Sequence, residues 1–413
     1  MSPAGRERLD LLFVTVFPAS PARYGAQRRI HGILESLSRR HDVTAVSLVG
    51  PDMDADEARR AMSAYCREVV LVPSHDEIGW KKRAGQLRSL ASTRSYERRL
   101  YDLPALHEAL ARMLTSRPFD VVQVETPYLA NYRLTAAPPG ARRPARVVDQ
   151  HNIEFDLVRQ MAASRLGLSR SVFNGVNWPK VRHEETVAWR TFDGLLFTSA
   201  LDESRARALV PGVRSAVIPN AVDVRFFQPS PSDPPADGRT ILFFGVIDYF
   251  PNSDGLAFFL RDVWPRVAQR SPDARLKIVG LRPTPEVLAH RGPRVEVTGV
   301  VDDLRPHLAS AEVVIAPLRV GGGTRFKILE AMAMAKPIVS TALGAEGIDV
   351  VHEDNILLAD AAPDFADGLV RLLADRELGR RLGRKGRALV EDRYSWDAVT
   401  RSLEAFYRAI LPS

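Results

Sequence analysis

Short, largely apolar runs rich in Val, Ile and Leu recur along this sequence, separated by stretches of helical period. In the first half these runs are Leu9–Val16, Val43–Val49, Val69–Val72, Phe119–Glu125, Arg146–Gln150, Gly194–Thr198 and Ser215–Pro219. A strand that shows one face to water alternates polar and apolar residues; one without alternation is covered on both faces. The intervening helical patterns, such as Gln27–Arg39, Pro104–Thr115 and the long stretch 154–190, supply that cover. Parallel strands in a doubly wound α/β sheet follow. Ser199, three residues before Asp202, reads as a helix start.

The alternation breaks once. Residues 228–239, QPSPSDPPADGR, hold four prolines and no apolar side chain larger than alanine. Such a segment forms no core element and reads as a linker. Beyond it the pattern restarts, with strands expected at Thr240–Gly245, Leu276–Gly280, Val295–Thr298, Val313–Pro317, Ile338–Thr341 and Ile356–Leu358. Helices are expected at 254–270, 302–309, 324–335 and 364–374. At 413 residues the chain exceeds what one core sustains. We expect a Rossmann-like domain over 1–227, the linker 228–239, a second Rossmann-like domain over 240–391, and a terminal helix over 392–413.

Cys66 is the only cysteine, which excludes an internal disulfide and a structural zinc site of cysteine ligands. No signal peptide is read at the N-terminus, and no apolar run has the length of a membrane span. A cytoplasmic protein is expected. The net charge of +7 is uneven: residues 1–220 carry 32 Lys/Arg and 24 Asp/Glu, net +8, whereas 221–413 carry 25 and 26, net −1. Solvated faces are the plain explanation. The sharper one is a first half that meets an anionic surface or a phosphorylated acceptor. Residues 80–99 concentrate Lys and Arg beside Trp80 and Tyr96, a mix suited to peripheral contact with an anionic membrane. Nucleic acid is not an expected partner.

The most informative segment is APLRVGGGTRFKILEAMAMAKPIVS, from Ala316. A strand ends at Pro317, Gly321, Gly322 and Gly323 follow, and a helix is expected to open at Thr324. Adjacent glycines let backbone N–H groups approach a ligand closely. A helix N-terminus adds about half a positive charge, which suits a diphosphate. Arg325 and Lys327 put two cations where the dipole favours acids, so an anion is called for, either a ligand or a nearby acidic side chain. Glu330 lies among apolar neighbours and needs donors, which a ribose diol or Lys327 on the same face would supply.

Here the sequence resembles a family. GGGTRFKILEAMAMAKPIVST is similar to the donor-site motif of retaining family-4 glycosyltransferases of the GT-B fold, of the bacterial exopolysaccharide type. Phe17–Arg29 with Gly25 resembles their N-terminal glycine loop, and DQHNIE (149–154) the strand end carrying their active-site histidine, here His151. IPNAVD (218–223), GVIDYFPNSDG (245–255) and YSWDAVTRSLEAFY (394–407) match their interdomain lead, first donor-domain loop and terminal helix. The resemblance implies two facing Rossmann-like domains and a sugar-nucleotide donor held mainly by the second. It implies that Glu330 binds the donor ribose and that Arg325 and Lys327 neutralise the diphosphate. His151 would bond the transferred sugar, and Gly25 would admit the phosphate. Gly321, Gly322, Gly323 and Thr324 would complete the donor site. No metal and no further cofactor is implied.

Two positions depart from the family. A second acid that often contacts the donor sugar is Gly322 here. The Arg and Lys of the first donor-domain loop are missing from GVIDYFPN, which offers Asp248 and Asn252. We read Arg325 and Lys327 as replacement phosphate ligands. The expected activity is transfer of a hexose from a nucleoside-diphosphate sugar to a lipid-linked or saccharide hydroxyl, with retention, in polysaccharide or glycolipid assembly. The rivals are a sugar-nucleotide epimerase of the same fold and a non-catalytic sugar-nucleotide-binding protein. Asp52-Met53-Asp54 spells a metal triplet of another fold, but a helix start explains it. No Gly-x-Gly-x-x-Gly follows the first strand and no Gly-Lys-Ser/Thr occurs, which argues against a dehydrogenase and an ATPase.

Overall fold

The computed structural model describes residues 7–22, 25–74, 80–163, 168–321 and 324–411. Two compact units divide the chain, one formed by 1–219 with 400–413 and the other by 220–399.

The first unit is a seven-stranded parallel sheet: β1 (Asp10–Thr15), β2 (Asp42–Val49), β3 (Glu68–Pro73), β4 (Val121–Val124), β5 (Ala145–Gln150), β6 (Gly194–Phe197) and β7 (Ser215–Val217). Their order is β3-β2-β1-β4-β5-β6-β7. The second is a six-stranded sheet of β8 (Thr240–Val246), β9 (Arg275–Leu281), β10 (Val295–Gly299), β11 (Val313–Ala316), β12 (Ile338–Ser340) and β13 (Leu357–Leu358). It is ordered β10-β9-β8-β11-β12-β13. Every expected strand is present, and every named pairing is parallel.

Burial explains the unbroken apolar runs. In β8, Ile241 and Phe243 enter one core, while Leu242 and Phe244 enter another on the opposite face. In β11, Val313 and Ile315 divide from Val314 and Ala316 in the same way. Period-two alternation thus takes place between two dry faces rather than between a dry face and water.

The second unit begins ahead of the Pro-rich stretch. Asn220 N donates to Thr324 Oγ1 at 3.2 Å and Val222 N to the Tyr394 carbonyl at 2.8 Å, so the chain joins this unit at 220. Residues 228–239 lie within it, where Asp237 caps the start of β8 through Thr240 N at 2.8 Å and Thr240 Oγ1 at 2.6 Å. At the other end, the helix Trp396–Ile410 places Tyr407 Oη 2.5 Å from Gln123 Oε1 in the first unit's core. Glu404 there meets Arg40 and His41 at 3.1 and 3.2 Å.

One helix, Arg376–Arg393, is not expected from the sequence. It is strongly basic and carries Gly379, Gly383 and Gly386, a composition that argues against a buried helix. Gly383 faces the Ala335 carbonyl, which a Cβ would strike. The glycine lets this helix close on the turn after the helix Phe326–Ala333, a contact the hydrophobic period does not encode.

Candidate functional site

In doubly wound sheets ligands bind beyond the strand C-termini, where the strand order reverses. That reversal falls between β1 and β4 in the first unit and between β8 and β11 in the second. Both groups of expected site residues lie at these points.

In the second unit β8 ends in Gly245 and Val246, and the helix Phe250–Phe258 follows. Gly245 has φ +145°, and its carbonyl lies where a Cβ on the adjacent Gly280 would sit, so β8 and β9 close tightly only with glycine there. Asn252 is fixed by donating from Nδ2 to the Val246 carbonyl at 2.8 Å. Its Oδ1 then accepts from Lys327 Nζ at 2.8 Å. The same ammonium stands 4.0 Å from the centre of the Phe243 ring. Burial, and then the neighbouring Arg325 guanidinium, push the Lys327 ammonium down to about 7; Glu330 pulls the other way. Such a cation is held ready for an anion, since charge brought to it restores the protonated form.

The helix carrying these residues is Phe326–Ala333, with Arg325 extended at its N-cap, φ −95° and ψ 112°. The expected start at Thr324 is therefore corrected. Thr324 is buried, and its carbonyl accepts from Asn220 Nδ2 at 2.8 Å while its hydroxyl accepts from Asn220 N. These bonds hold the residue out of helical geometry. Arg325 consequently precedes the first turn and Lys327 lies within it. Gly321 is buried with φ +116°, and a Cβ there would sit 3.1 Å from Arg325 Nη2. Gly322 and Gly323 lie outside the described residues. Glu330, 3% exposed, lies one turn beyond Lys327. The structure thus gathers Gly321, Arg325, Lys327 and Glu330 around the C-termini of β8 and β11. It adds Asn252, in the first turn of the helix after β8, whose side chain takes the Lys327 ammonium.

In the first unit His151 follows β5, with Nε2 at 3.1 Å from Glu125 Oε2 and 3.6 Å from Asp149 Oδ2. Glu125, just beyond β4, accepts from Gln123 Nε2 at 2.7 Å. Burial, and then the Asp149 charge, raise its carboxyl above the ordinary value, against the pull of His151. Asp149 is wholly buried and held by Arg29 through two 2.8 Å bonds from Nε and Nη2. Arg29 lies on the helix Gly25–Ser38, which Gly25 opens at its exposed end. Glu125, Asp149 and His151 bring ligand atoms within 4.8 Å of one another. As a donor set for a metal they are already committed, Asp149 to Arg29 and Glu125 to Gln123 and His151.

Beside His151 the helix Glu154–Ala163 begins over a second buried pair. Glu185 accepts from Glu154 N and Phe155 N at 3.1 and 3.0 Å. Tyr128 Oη donates to Glu154 Oε2 at 3.1 Å, and burial lifts the Glu154 carboxyl to about 7. Arg29, Glu125 and Glu185 escaped the sequence reading because each is one charged residue in an ordinary helix or strand end; only pairing across the sheet marks them. The triplet Asp52-Met53-Asp54 is a helix start, with Asp54 Oδ1 accepting from Asp56 N and Glu57 N at 2.9 Å each. Ser199 caps its helix through Asp202 N.

Among the described residues no helix is long and apolar enough to cross a membrane. Residues 238–375 match the family model described as glycosyl transferases group 1. Over 329 residues the chain is 30% identical to a phosphatidyl-myo-inositol mannosyltransferase of Mycobacterium leprae, covering 76% of this chain and 80% of that protein. It is 28% identical over 327 residues to a GDP-mannose-dependent alpha-(1-6)-phosphatidylinositol monomannoside mannosyltransferase of Mycobacterium tuberculosis, covering 68% and 84%. Among solved structures, sucrose-phosphate synthase of Thermosynechococcus elongatus superposes with a TM-score of 0.70 at 18% identity, over 98% of this chain and 99% of that one, a likeness of fold. With its paired Rossmann-like sheets and this identity sustained along the relatives' length, the chain belongs to the group 1, family-4 glycosyltransferases of the GT-B fold.

Proposed function

We propose that the protein transfers a hexose from a nucleoside-diphosphate sugar to an acceptor hydroxyl with retention, in glycolipid or polysaccharide assembly. The observation that carries this reading is the Lys327 ammonium, desolvated, held by Asn252 and Phe243, and set beside Arg325 at the β8–β11 switch point. A departing nucleoside diphosphate gains negative charge in the transition state. Preorganised donors aimed at that charge each contribute about 3–4 kcal/mol. Glu330 receives the ribose hydroxyls, and Gly321, Gly322, Gly323 and Thr324 border the diphosphate. His151 contacts the transferred sugar, and Gly25 admits the donor phosphate from the first unit. With Arg325 and Lys327 neutralising the leaving group, the reaction runs without a metal.

The acceptor belongs to the first unit, whose basic balance suits a lipid-linked or phosphorylated molecule. Residues 80–99, with Trp80 75% and Leu87 67% exposed beside Lys81, Lys82 and Arg83, would rest peripherally on an anionic membrane surface. The names of the two mycobacterial relatives make GDP-mannose and an inositol phospholipid the first pair to assay. The test is the double variant Lys327→Ala/Glu330→Ala. Transfer of labelled sugar to a lipid extract should be lost, with the melting temperature within a few degrees of the parent. Undiminished transfer refutes the assignment. Turnover of the donor to an isomer, with no glycosylated product, would mark an epimerase instead.

A further inference from the structure

Outside the two switch points, one built concavity has a charge that the proposed donor and sugar contacts do not use. The helix Trp80–Leu90 and the short helix Tyr96–Leu100 enclose a cavity of about 380 Å³, lined by Arg88, Arg94, Arg99, Thr93, Tyr96 and Asp102 among others. Its floor is fixed by buried polar bonds to the helix Leu168–Thr191. Ser95 donates from N and Oγ to Glu184 at 2.9 and 2.5 Å, and Tyr96 N donates to Asn177 Oδ1 at 3.1 Å. Asn177 Nδ2 in turn donates to Glu97 at 2.8 Å, and Lys180 Nζ to the Ser89 carbonyl at 2.6 Å. Ser95 and Asn177 are essentially inaccessible. A surface segment held only for solubility needs no such foundation, because exposed arginines keep themselves hydrated wherever the backbone lies. Here the backbone is pinned, and Arg88, Arg94 and Arg99 line one concavity.

The charges do not cancel. Arg94 Nη1 is paired with Asp102 at 3.0 Å, and His107 shares that carboxylate at 2.8 Å. Three arginines against one aspartate leave a surplus of two positive charges around the concavity. Planar guanidinium groups set around a small cavity, with Thr93 able to donate, match a phosphate group.

We propose that this cavity binds a phosphate group of the acceptor, so that the enzyme selects phosphorylated acceptors through Arg88, Arg94 and Arg99. The proposal rests on the transferase reading, since it names that reaction's second substrate. A lipid headgroup and a soluble phosphate ester present the same phosphate chemistry to this cavity. Tyr101, at the end of this segment, stacks on Tyr128 at 6.2 Å, whose hydroxyl bonds Glu154 beside His151. A chain of side-chain contacts thus runs from the end of this segment to Glu154.

The test uses the full chain and glycerol 3-phosphate as the soluble probe, titrated calorimetrically. Saturable binding should weaken about tenfold or more in Arg88→Ala/Arg99→Ala, two exposed positions, and remain in Arg112→Ala/Arg133→Ala, exposed arginines of the same unit outside the cavity. Competition by phosphatidylcholine vesicles containing phosphatidylinositol, but not by phosphatidylcholine alone, identifies a lipid headgroup as the source. Binding without such competition identifies a soluble ester. Equal binding by the cavity variant and the parent, equal loss in both variants, or no saturable binding by the parent overturns the proposal. Nucleoside-diphosphate affinity, measured alongside, should be unchanged in the cavity variant. A protein that binds glycerol 3-phosphate as described but transfers no sugar from any donor refutes the transferase reading and leaves the phosphate site standing.

Discussion

If the Lys327 ammonium grips the donor diphosphate, donor affinity must depend on pH in a way set by the desolvation of that one group. In the free protein Lys327 titrates near 7, driven down by burial and by Arg325. Bound diphosphate requires the charged form and raises its pKa well above that value. Affinity then follows the charged fraction of the free protein. That fraction is about three-quarters at pH 6.5 and about 3% at pH 8.5, so binding should weaken about 25-fold, roughly 2 kcal/mol. The sign follows from linkage: a proton is taken up on binding, so affinity is greatest at low pH and falls as pH rises through 7.

A nucleotide sugar is the right probe, because its diphosphate is a diester that carries both charges throughout this window. Isothermal titration at several pH values gives the affinity. Repeating each titration in buffers of different ionisation enthalpy counts the protons, with about one taken up at pH 8.5 and about a quarter at pH 6.5. The groups facing the ammonium are Arg325 and Glu330 on its own helix, Phe243 and Gly245 on β8, and Asn252 on the following helix. Lys327→Arg keeps the charge across the range and should bind with an affinity independent of pH. A flat profile in the parent, or an equal fall in the arginine variant, refutes the reasoning.

Three further outcomes follow from the same geometry. Glu125→Gln keeps the volume and the Gln123 contact but presents an amide where His151 Nε2 meets a carboxylate. Sugar transfer should drop about 100-fold or more with its pH profile displaced, while calorimetric donor affinity is unchanged. Glu154 has its carboxyl lifted from 4.5 to about 7, so the folded state binds more protons than the unfolded one between those values, and stability falls as pH rises through the window. Glu154→Gln should therefore melt higher than the parent at pH 8, by up to about 3 kcal/mol, with the difference gone below pH 4.5 on chemical denaturation. Gly383→Ala drives a Cβ into the Ala335 carbonyl and should cost about 2 kcal/mol in urea denaturation, whereas alanine at the roomier Gly379, 3.4 Å from the Pro337 ring, should cost less.

The strands were legible because burial on both faces leaves no choice of residue. Ile241 to Phe244 and Val313 to Ala316 must all be apolar, and the sequence says so. The helix Phe326–Ala333 was legible in position but not in phase. Its start depends on Asn220, more than a hundred residues earlier in the chain, bonding the hydroxyl and the carbonyl of Thr324. No local pattern carries that information. The helix Arg376–Arg393 was hidden for the opposite reason, since glycine at 383 reads as a breaker until the carbonyl opposite is known.

The candidate site divides along the same line, and the division bears on the loop that lacks the family's cations. Lys327 was legible as a cation against a helix dipole, yet its partner was not, because Asn252 reads as an ordinary polar residue after a strand. Cations in the loop after β8 would reach the same switch point from the opposite side. This chain places the charge on the helix after β11 and sets Asn252, in the first turn of the helix after β8, as the acceptor that orients it. On the helix the cation is buried against Phe243 and stands beside Arg325, and that burial, then the Arg325 charge, lower its pKa to about 7. A loop lysine in water would bind diphosphate with little dependence on pH near neutrality. The departure from the family motif and the expected fall of donor affinity with rising pH should therefore share one cause, the burial of Lys327.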